Sequence, residues 1–211
     1  MSHLDFVLSS EDLSKIGLLL DAKVAESLVS FMKILDKWNK VYSITSVKPR
    51  SLWVSTHLYD SLAIAKFVLG DKILDMGSGG GFPGVPLGIF FAEKNVTLLD
   101  SNSKKTSFLQ QVVSELSLKN IRVVTARAEQ YVPEVKFDTV VSRAFSDLPT
   151  YYALARPLCD AGGVILAMKG KTPEEEITEL PATAKPVVTQ INVPGLEASR
   201  CIVSMSADRN Q

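Results

Sequence analysis

The sequence predicts an α/β protein with a mostly parallel sheet, a C-terminal antiparallel hairpin and an N-terminal helical cap. After residue 70, short apolar runs alternate with helix-length segments, the pattern of strand–helix–strand units and a parallel sheet. Before residue 70, apolar residues recur at helical spacing. The 211 residues leave room for one large domain with an extension. We therefore expect a helical extension over residues 1–70, packed on a core domain over residues 71–211.

The helical cap is predicted from two stretches. Large apolar residues between residues 21 and 38 form the stripe of an amphipathic helix: Val24, Leu28, Phe31, Leu35 and Trp38. A further helix is predicted over residues 51–69, and Ser10 marks a possible earlier helix start, with a break near Gly17.

The core domain is predicted from alternating runs. Strands are expected at residues 72–76, 96–99, 121–125, 137–142 and 163–168, and helices at residues 86–92, 104–116 and 148–158. Two β-rich runs, at residues 186–193 and 199–206, then follow each other across Pro194-Gly195 without a helix between them. They predict the terminal hairpin. Residues 171–179 are expected to form a solvated loop or a short surface helix.

Composition excludes several classes of protein. Lys and Arg number 23, as do Asp and Glu, so a polyanionic partner would need a local basic patch. Two cysteines, Cys159 and Cys201, and two histidines, His3 and His57, exclude a structural zinc site or a disulfide scaffold. No apolar run reaches the ~18 residues of a membrane span, and Asp5 lies where a signal peptide would be basic. We expect a cytoplasmic protein without a membrane partner.

A glycine-rich loop follows the first predicted strand. Gly79, Gly81 and Gly84 satisfy the G-x-G-x-x-G pattern of dinucleotide-binding proteins. Asp75 and Gly77, together with Gly79 and Gly81, instead satisfy the D-x-G-x-G-x-G pattern of S-adenosylmethionine-dependent methyltransferases. A turn without a ligand is the third interpretation, disfavoured because so many glycines cost backbone entropy.

Both ligand interpretations expect an acidic residue at the end of the second strand, on the ribose hydroxyls, and Asp100 supplies it. Three other features favour the methyl donor. They are the acidic Asp75 at the strand end, the terminal hairpin, and the lack of chain for a separate substrate domain.

Two later strands end in candidate site residues. Ala128 and Glu129 follow the third strand, where the adenine of the donor would lie, although an exposed Glu is more often simply solvated. Arg143 ends the fourth strand, where a methyltransferase presents its acceptor. A surface ion pair is the alternative interpretation of Arg143.

The residues after the fourth strand, together with the cysteines, restrict the chemical class of the methyl acceptor. The Asn/Asp-Pro-Pro-aromatic loop of adenine amino methylation is absent, and Cys159 and Cys201 lack the Pro-Cys setting of a cytosine C5 nucleophile. Guanine N7 carries a lone pair and no proton, so positioning alone suffices. Arg143, Lys169 or Ser142 could hold the guanine edge or phosphates. We predict Arg143 and Lys169 as positioning residues, with no general base.

The cap offers further candidates. His57 could face the cleft, but a lone His on an apolar helix is more often a hydrogen-bonded structural residue. Lys37, Lys40 and Arg50 lie near aromatic residues and, with Lys169, could bind RNA. A helix face with snorkelling lysines explains the same residues.

The chain resembles the glucose-inhibited division protein B family, bacterial methyltransferases that act on guanine N7 of 16S ribosomal RNA. The resemblance covers nearly the whole length. The matching segments are residues 37–40 with Ile44-Thr45, residues 57–62, 74–84 and 98–101, Ala128-Glu129, Ser142-Arg143-Ala144 and Lys169-Gly170.

The resemblance implies a class I, Rossmann-like methyltransferase fold and S-adenosyl-L-methionine as cofactor. It implies 16S ribosomal RNA or the small ribosomal subunit as partner, with a target in the 530-loop region, and a monomeric enzyme. The implied donor site is Gly77, Phe82, Ala128, Glu129 and Arg143, with Asp100 on the ribose. The alternatives are a methyltransferase for another RNA or a small molecule, or a non-catalytic nucleotide-binding module.

Overall fold

The computed structural model describes residues 6–208, so His3 and Asp5, used above, lie outside the described residues. These residues form a seven-stranded sheet in the order β3-β2-β1-β4-β5-β7-β6. The strands are β1 (Lys72–Met76), β2 (Asn95–Asp100), β3 (Ile121–Thr125), β4 (Phe137–Arg143), β5 (Cys159–Lys169), β6 (Val187–Ile191) and β7 (Arg200–Ser206). The first five run parallel, and β7 pairs antiparallel with both β5 and β6. The predicted fold class is confirmed.

Helices cover both faces of the sheet. They are α1 (Ser10–Lys15), α2 (Ala22–Tyr42), α3 (Asp60–Leu62), α4 (Gly84–Phe90), α5 (Ser103–Glu115), α6 (Leu148–Ala155) and α7 (Glu174–Thr178). The Asp21 side chain accepts the N–H of Val24, which caps α2 at its N-terminus. The buried stripe of α2 includes Leu28, Phe31 and Leu35, as the periodicity predicts.

The helix predicted over residues 51–69 is broken. Short helical turns at Arg50–Leu52 and Ala65–Phe67 flank a wide π-helical turn, Val54–Tyr59, and the single turn α3. Nearly every residue from 57 to 65 is buried, so tertiary packing rather than one helical face decides this segment. π-helical turns are rare and frequently occur at functional sites.

The cap and the sheet share one hydrophobic core. The Phe31 ring on α2 lies 5.2 Å from Phe82 in the glycine-rich loop and 6.4 Å from Phe108 on α5. On the opposite face of the sheet, Tyr151 of α6 donates its hydroxyl to the carbonyls of Val140 and Leu166, which ties α6 to β4 and β5. The cap is therefore fixed directly against the loop that follows β1.

The position of β7 brings a late residue to the carboxyl edge of the sheet. Because β7 runs antiparallel to β5, its first residues lie beside the last residues of β5, with Cys201 opposite Lys169. Arg200 therefore lies at the edge where β1, β2 and β4 also end. None of the helices within residues 6–208 is long and apolar enough to cross a membrane.

Candidate functional site

The glycine-rich loop is fastened to the ends of β1 and β2. The N–H groups of Gly77 and Ser78 both donate to the Leu99 carbonyl, at 2.8 and 3.0 Å. The Asp75 carboxylate is fully buried and accepts the N–H of Gly84 at 2.9 Å. Burial raises the pKa of Asp75 to about 7. Asp75 Oδ1 finds no hydrogen-bond partner within residues 6–208, which fits a carboxyl group that is often protonated.

A cavity of about 270 Å³, which we call the loop cavity, opens at the ends of β1, β2 and β3. It is lined by Gly77, Leu99, Asp100, Ser101, Lys105, Ala126, Arg127, Ala128, Glu129, Ala144 and Phe145. At Gly77 the backbone has a φ of +78°, and an added Cβ would lie 2.6 Å from the Phe145 ring. Only glycine fits there, because any side chain would strain the loop and displace that ring.

Asp100 combines a structural and a binding capacity. Its Oδ2 accepts the N–H of Gly79 and its Oδ1 accepts the N–H of Asn102, both at 2.8 Å. Each carboxylate oxygen can accept two hydrogen bonds, so each keeps one lone pair for a ligand. Asp100 therefore fixes the loop while offering two acceptors to a vicinal diol in the loop cavity.

Three predicted donor-site residues face the core instead. A Cβ on Gly81 would meet Val85 at 2.7 Å, and the Phe82 ring is buried against Phe31. Asp75 lies behind the loop, and none of Asp75, Gly81 and Phe82 lines the loop cavity. Their structural role is to shape the loop from within, because the glycine-rich turn points these atoms toward the core. Gly79 does not line the cavity but donates to Asp100.

A second cavity of about 430 Å³, which we call the cap cavity, lies between the helical cap and the ends of β4, β5 and β7. It is lined by Ile44, Thr45, Ser46, Val47, Thr56, His57, Asp60, Arg143, Ala144, Met168, Lys169, Gly170 and Arg200. Arg143, which the sequence analysis also assigned to the donor site, lines this cavity and not the loop cavity.

Asp60 joins the two arginines of the cap cavity. Its Oδ2 lies 3.3 Å from Arg143 Nη1 and its Oδ1 lies 3.2 Å from Arg200 Nε. Arg143 Nη1 also donates to the Thr56 carbonyl at 2.9 Å. The Asp60 side chain is buried, and this burial raises its pKa although both guanidiniums oppose the shift. The arginines are thus held in place from the cap.

His57 lies inside an aromatic stack. Its ring is parallel to Phe82 at 4.3 Å, and Trp53 packs edge-on at 5.9 Å. Burial, with a smaller effect of Arg143, lowers the pKa of His57 to about 3, so the imidazole is neutral. His57 is hydrogen-bonded at both ring nitrogens, to Thr45 and Arg143, so it supports the wall of the cap cavity.

Lys169 and Ser142 differ in whether their side chains reach a ligand cavity. Lys169 Nζ lies 2.7 Å from Glu176 and donates to the Ser146 carbonyl at 3.1 Å, while its side chain lines the cap cavity. The Ser142 hydroxyl is buried and donates to the Met76 carbonyl at 2.6 Å. Ser142 therefore joins β4 to β1 and lines neither cavity.

Three of the predicted RNA-binding residues, Lys37, Lys40 and Arg50, lie outside both cavities, whereas Lys169 lines the cap cavity. Lys37 and Lys40 are exposed on α2, and Lys40 Nζ lies 3.8 Å from Asp36. Arg50 Nε lies 3.3 Å from the same carboxylate, and the Arg50 guanidinium stacks 3.9 Å above Phe6. Arg50 is thus largely engaged in holding the cap together, whereas the two lysines project into solvent.

Sequence reasoning missed Thr45, Asp60 and Arg200. Thr45 and Asp60 lie within segments that carried the family resemblance, but no local pattern distinguishes them from cap residues. Arg200 reaches the cap cavity only because β7 inserts beside β5, which depends on strand order. Within the described part of the chain, no group of three or more His, Cys, Asp or Glu side chains could hold a metal ion.

The two cavities meet at one residue. Ala144 follows β4 in the left-handed region, with a φ of +56°, and lines both the loop cavity and the cap cavity. Two ligands, one in each cavity, would therefore come close to each other beside Ala144.

Comparisons with known proteins identify the family of the chain. A family model described as GidB, rRNA small subunit methyltransferase G, matches residues 24–203. A ribosomal RNA small subunit methyltransferase G from Laribacter hongkongensis is 46% identical over 194 residues, covering 92% of this chain and 94% of that protein. The corresponding protein from Chromobacterium violaceum is 45% identical over 197 residues, covering 92% and 94%.

Solved structures support the fold. A SAM-dependent O-methyltransferase from Thermotoga maritima superimposes with a TM-score of 0.58 at 16% identity, covering 84% of this chain and 73% of that one. A tRNA (uracil-54, C5)-methyltransferase from Pyrococcus abyssi, in complex with S-adenosyl-L-homocysteine, gives 0.52 at 21% identity, covering 69% and 36%. At these identities the likeness concerns the fold alone.

Proposed function

The chain belongs to the GidB family of rRNA small subunit methyltransferase G, and from this premise we propose that it transfers a methyl group from S-adenosyl-L-methionine to guanine N7 of 16S ribosomal RNA. The observation that carries the proposal is the junction of the two cavities at Ala144. The loop cavity has the hydrogen-bond acceptors that the nucleoside part of the methyl donor requires. The cap cavity has the cationic side chains that an RNA substrate requires.

The loop cavity suits the donor. Asp100 offers two acceptors to the ribose diol, and Ala126 and Ala128 are small enough to border a flat adenine ring. Gly77 lets the backbone approach the ligand, and Glu129 adds a carboxylate that suits a cationic ligand. S-adenosyl-L-methionine supplies an electrophilic methyl group on a positively charged sulfur. The residues that line the loop cavity would hold this cofactor, with Asp100 on its ribose.

The cap cavity suits the RNA acceptor. Arg143, Lys169 and Arg200 line one cavity, while the two carboxylates nearest to them, Asp60 and Glu176, are used in ion pairs. Guanidinium and ammonium groups pair with guanine O6 and with phosphate oxygens. Because Asp60 holds both guanidiniums, these donors are oriented before RNA arrives.

The chain's own groups favour direct transfer without proton removal. His57 is neutral, and both of its nitrogens bond within the protein, so it is a poor general base. Burial raises the pKa of the Cys159 thiol to about 12, and burial also raises that of Cys201, so neither thiol becomes a nucleophilic thiolate at neutral pH. Guanine N7 needs neither group: its lone pair bonds to the methyl carbon as the carbon–sulfur bond breaks, and no proton leaves. Positioning by the cap cavity then lowers the barrier.

The proposal includes finer points. They are a target in the 530-loop region of the small subunit and a monomeric enzyme, together with the cytoplasmic location expected from the sequence. Lys37 and Lys40 are proposed to contact RNA phosphates around the acceptor, since both are exposed on α2.

The test is the chemical identity of the product. Small ribosomal subunits and free 16S RNA from cells lacking the gene are incubated with the protein and labelled S-adenosyl-L-methionine, and the nucleosides are separated by mass spectrometry. We expect 7-methylguanosine, and strand cleavage at that nucleotide after borohydride and aniline treatment. Arg143→Ala should lower turnover strongly, whereas Arg122→Ala, exposed on β3, should not. A product of 5-methylcytidine or N6-methyladenosine, or no RNA methylation at all, would contradict the proposal.

A further inference from the structure

Thr45 forms part of the cap cavity wall in the segment that follows α2. Its N–H donates to Asn39 Oδ1 at 2.8 Å, which fixes the backbone of this segment against the helix. Its hydroxyl oxygen lies 3.0 Å from His57 Nε2 and accepts the Val47 N–H at 3.2 Å. Thr45 is thus held in place on three sides.

The tautomer of His57 decides which way the Thr45 hydroxyl points. His57 Nδ1 faces Arg143 Nη2 at 3.4 Å, and a guanidinium has only N–H donors. Nδ1 must therefore present its lone pair, since an N–H at this position would oppose the Arg143 donor. A neutral imidazole has one N–H, so the hydrogen is on Nε2, and Nε2 donates to Thr45 Oγ1.

The hydroxyl hydrogen of Thr45 is then the one part of this group without a hydrogen-bond partner among residues 6–208. Its oxygen has two lone pairs, and both are used, by His57 Nε2–H and by the Val47 N–H. Its hydrogen has no acceptor among residues 6–208, although Thr45 is half-buried. A hydroxyl hydrogen in this position is available to an acceptor atom in the cap cavity.

We propose that Thr45 is a substrate-binding residue that donates its hydroxyl hydrogen to an oxygen of the acceptor nucleotide. The proposal rests on the proposed function and deepens it. The oxygen is either guanine O6 or a phosphate oxygen beside the target, since both are acceptors. The surroundings agree, because Arg143, Lys169 and Arg200 line the same cavity and carry only donors, which favours an oxygen-rich ligand. Thr45 adds a donor from the cap, so the nucleotide is held between the cap and the sheet.

The test compares Thr45→Val, which removes the hydroxyl at nearly constant shape, with Thr45→Ser, which keeps it. Thr45→Val should lower kcat/KM for RNA by about tenfold, the upper end of what one neutral hydrogen bond supplies. Thr45→Ser should stay within about twofold, and affinity for S-adenosyl-L-homocysteine should be unchanged in both. Thr139→Val is the matched control, because within residues 6–208 the buried Thr139 hydroxyl bonds only to the backbone of Leu69, at the other end of β4.

Substrate analogues separate a direct contact from a loss transmitted through His57. In one RNA the target guanine is replaced by 2-aminopurine, which lacks O6. In another, a methylphosphonate replaces the phosphate beside the target. If Thr45 contacts O6, Thr45→Val should not lower kcat/KM further on the 2-aminopurine RNA. If Thr45 contacts the phosphate, Thr45→Val should not lower kcat/KM further on the methylphosphonate RNA.

Two outcomes would overturn the inference. One is equal kcat/KM for the parent and Thr45→Val, and the other is a full additional loss on both analogues. Thr45→Ala, measured in parallel, keeps the test decisive if Thr45→Val does not fold. Failure of the proposed function looks different, because the parent protein itself would then leave guanine N7 unmethylated.

Discussion

Replacing Asp100 with Asn tests the double role of its carboxylate. Each carboxylate oxygen accepts one backbone N–H, from Gly79 or from Asn102, and keeps one lone pair, which the proposed function assigns to the ribose of S-adenosyl-L-methionine. Asparagine has one acceptor oxygen and an NH₂ group, so one backbone N–H and one ribose hydroxyl lose their acceptor. A hydrogen bond to a charged group is worth about 1.5–3 kcal/mol, which corresponds to a loss of roughly tenfold to a hundredfold in affinity.

The assay is calorimetric titration with S-adenosyl-L-homocysteine, accompanied by urea unfolding without ligand. Asp138→Asn is the matched control, since Asp138 Oδ2 accepts the N–H groups of Asp71 and Lys72 at the opposite edge of the sheet. Asp100→Asn should be less stable by about 1–3 kcal/mol, because one N–H is orphaned, whereas Asp138→Asn can keep both N–H bonds on its single amide oxygen; only Asp100→Asn should lose affinity. A loss of less than about twofold in Asp100→Asn, or an equal loss in Asp138→Asn, would refute the assigned role.

Three further predictions follow from the geometry. Gly77→Ala should abolish binding of S-adenosyl-L-homocysteine because its Cβ meets Phe145 at 2.6 Å, whereas Gly162→Ala, with the same left-handed φ and open space, should only cost about 1–2 kcal/mol of stability. Replacing Lys37 and Lys40 with Ala should reduce the log–log salt slope of RNA binding by roughly 0.7–0.9 for each lost phosphate contact, and equal slopes would place the contacts elsewhere. The stability of the parent should fall as pH rises from about 4 to about 7, because the folded protein keeps a proton on Asp75 (pKa about 7) that the unfolded chain releases; Asp75→Asn should flatten this dependence in urea titrations, and an unchanged profile would contradict it.

The fold could be predicted because its signals are local. Each buried strand is a short apolar run next to a helix-length segment, and the glycine-rich loop marks the end of β1. The loop cavity followed from the same signals, since parallel strands end at one edge and carry Gly77, Asp100 and Glu129 there. The break in the predicted second cap helix did not follow, because packing of residues 57–65 on all sides overrides helical periodicity.

The direction of individual side chains could not be predicted from the sequence. Gly81 and Phe82 belong to the same motif as Gly77, yet Phe82 is buried and a Cβ on Gly81 would meet Val85, and a motif does not encode that direction. For His57 the sequence offered two interpretations, and its stacked ring agrees with the structural one, a hydrogen-bonded histidine. Arg200 shows the main limit, since its place depends on the register of two strands far apart in sequence.

The insertion of β7 between β5 and β6 has a consequence for the order in which the protein becomes competent during its own synthesis. Every residue that lines the loop cavity precedes residue 146, whereas the cap cavity includes Arg200. A growing chain thus contains every residue of the loop cavity well before the last residue of the cap cavity. Nascent chains that are still short of β7 lack Arg200, one of the two guanidiniums that Asp60 holds, so the cap cavity is the later of the two to be completed.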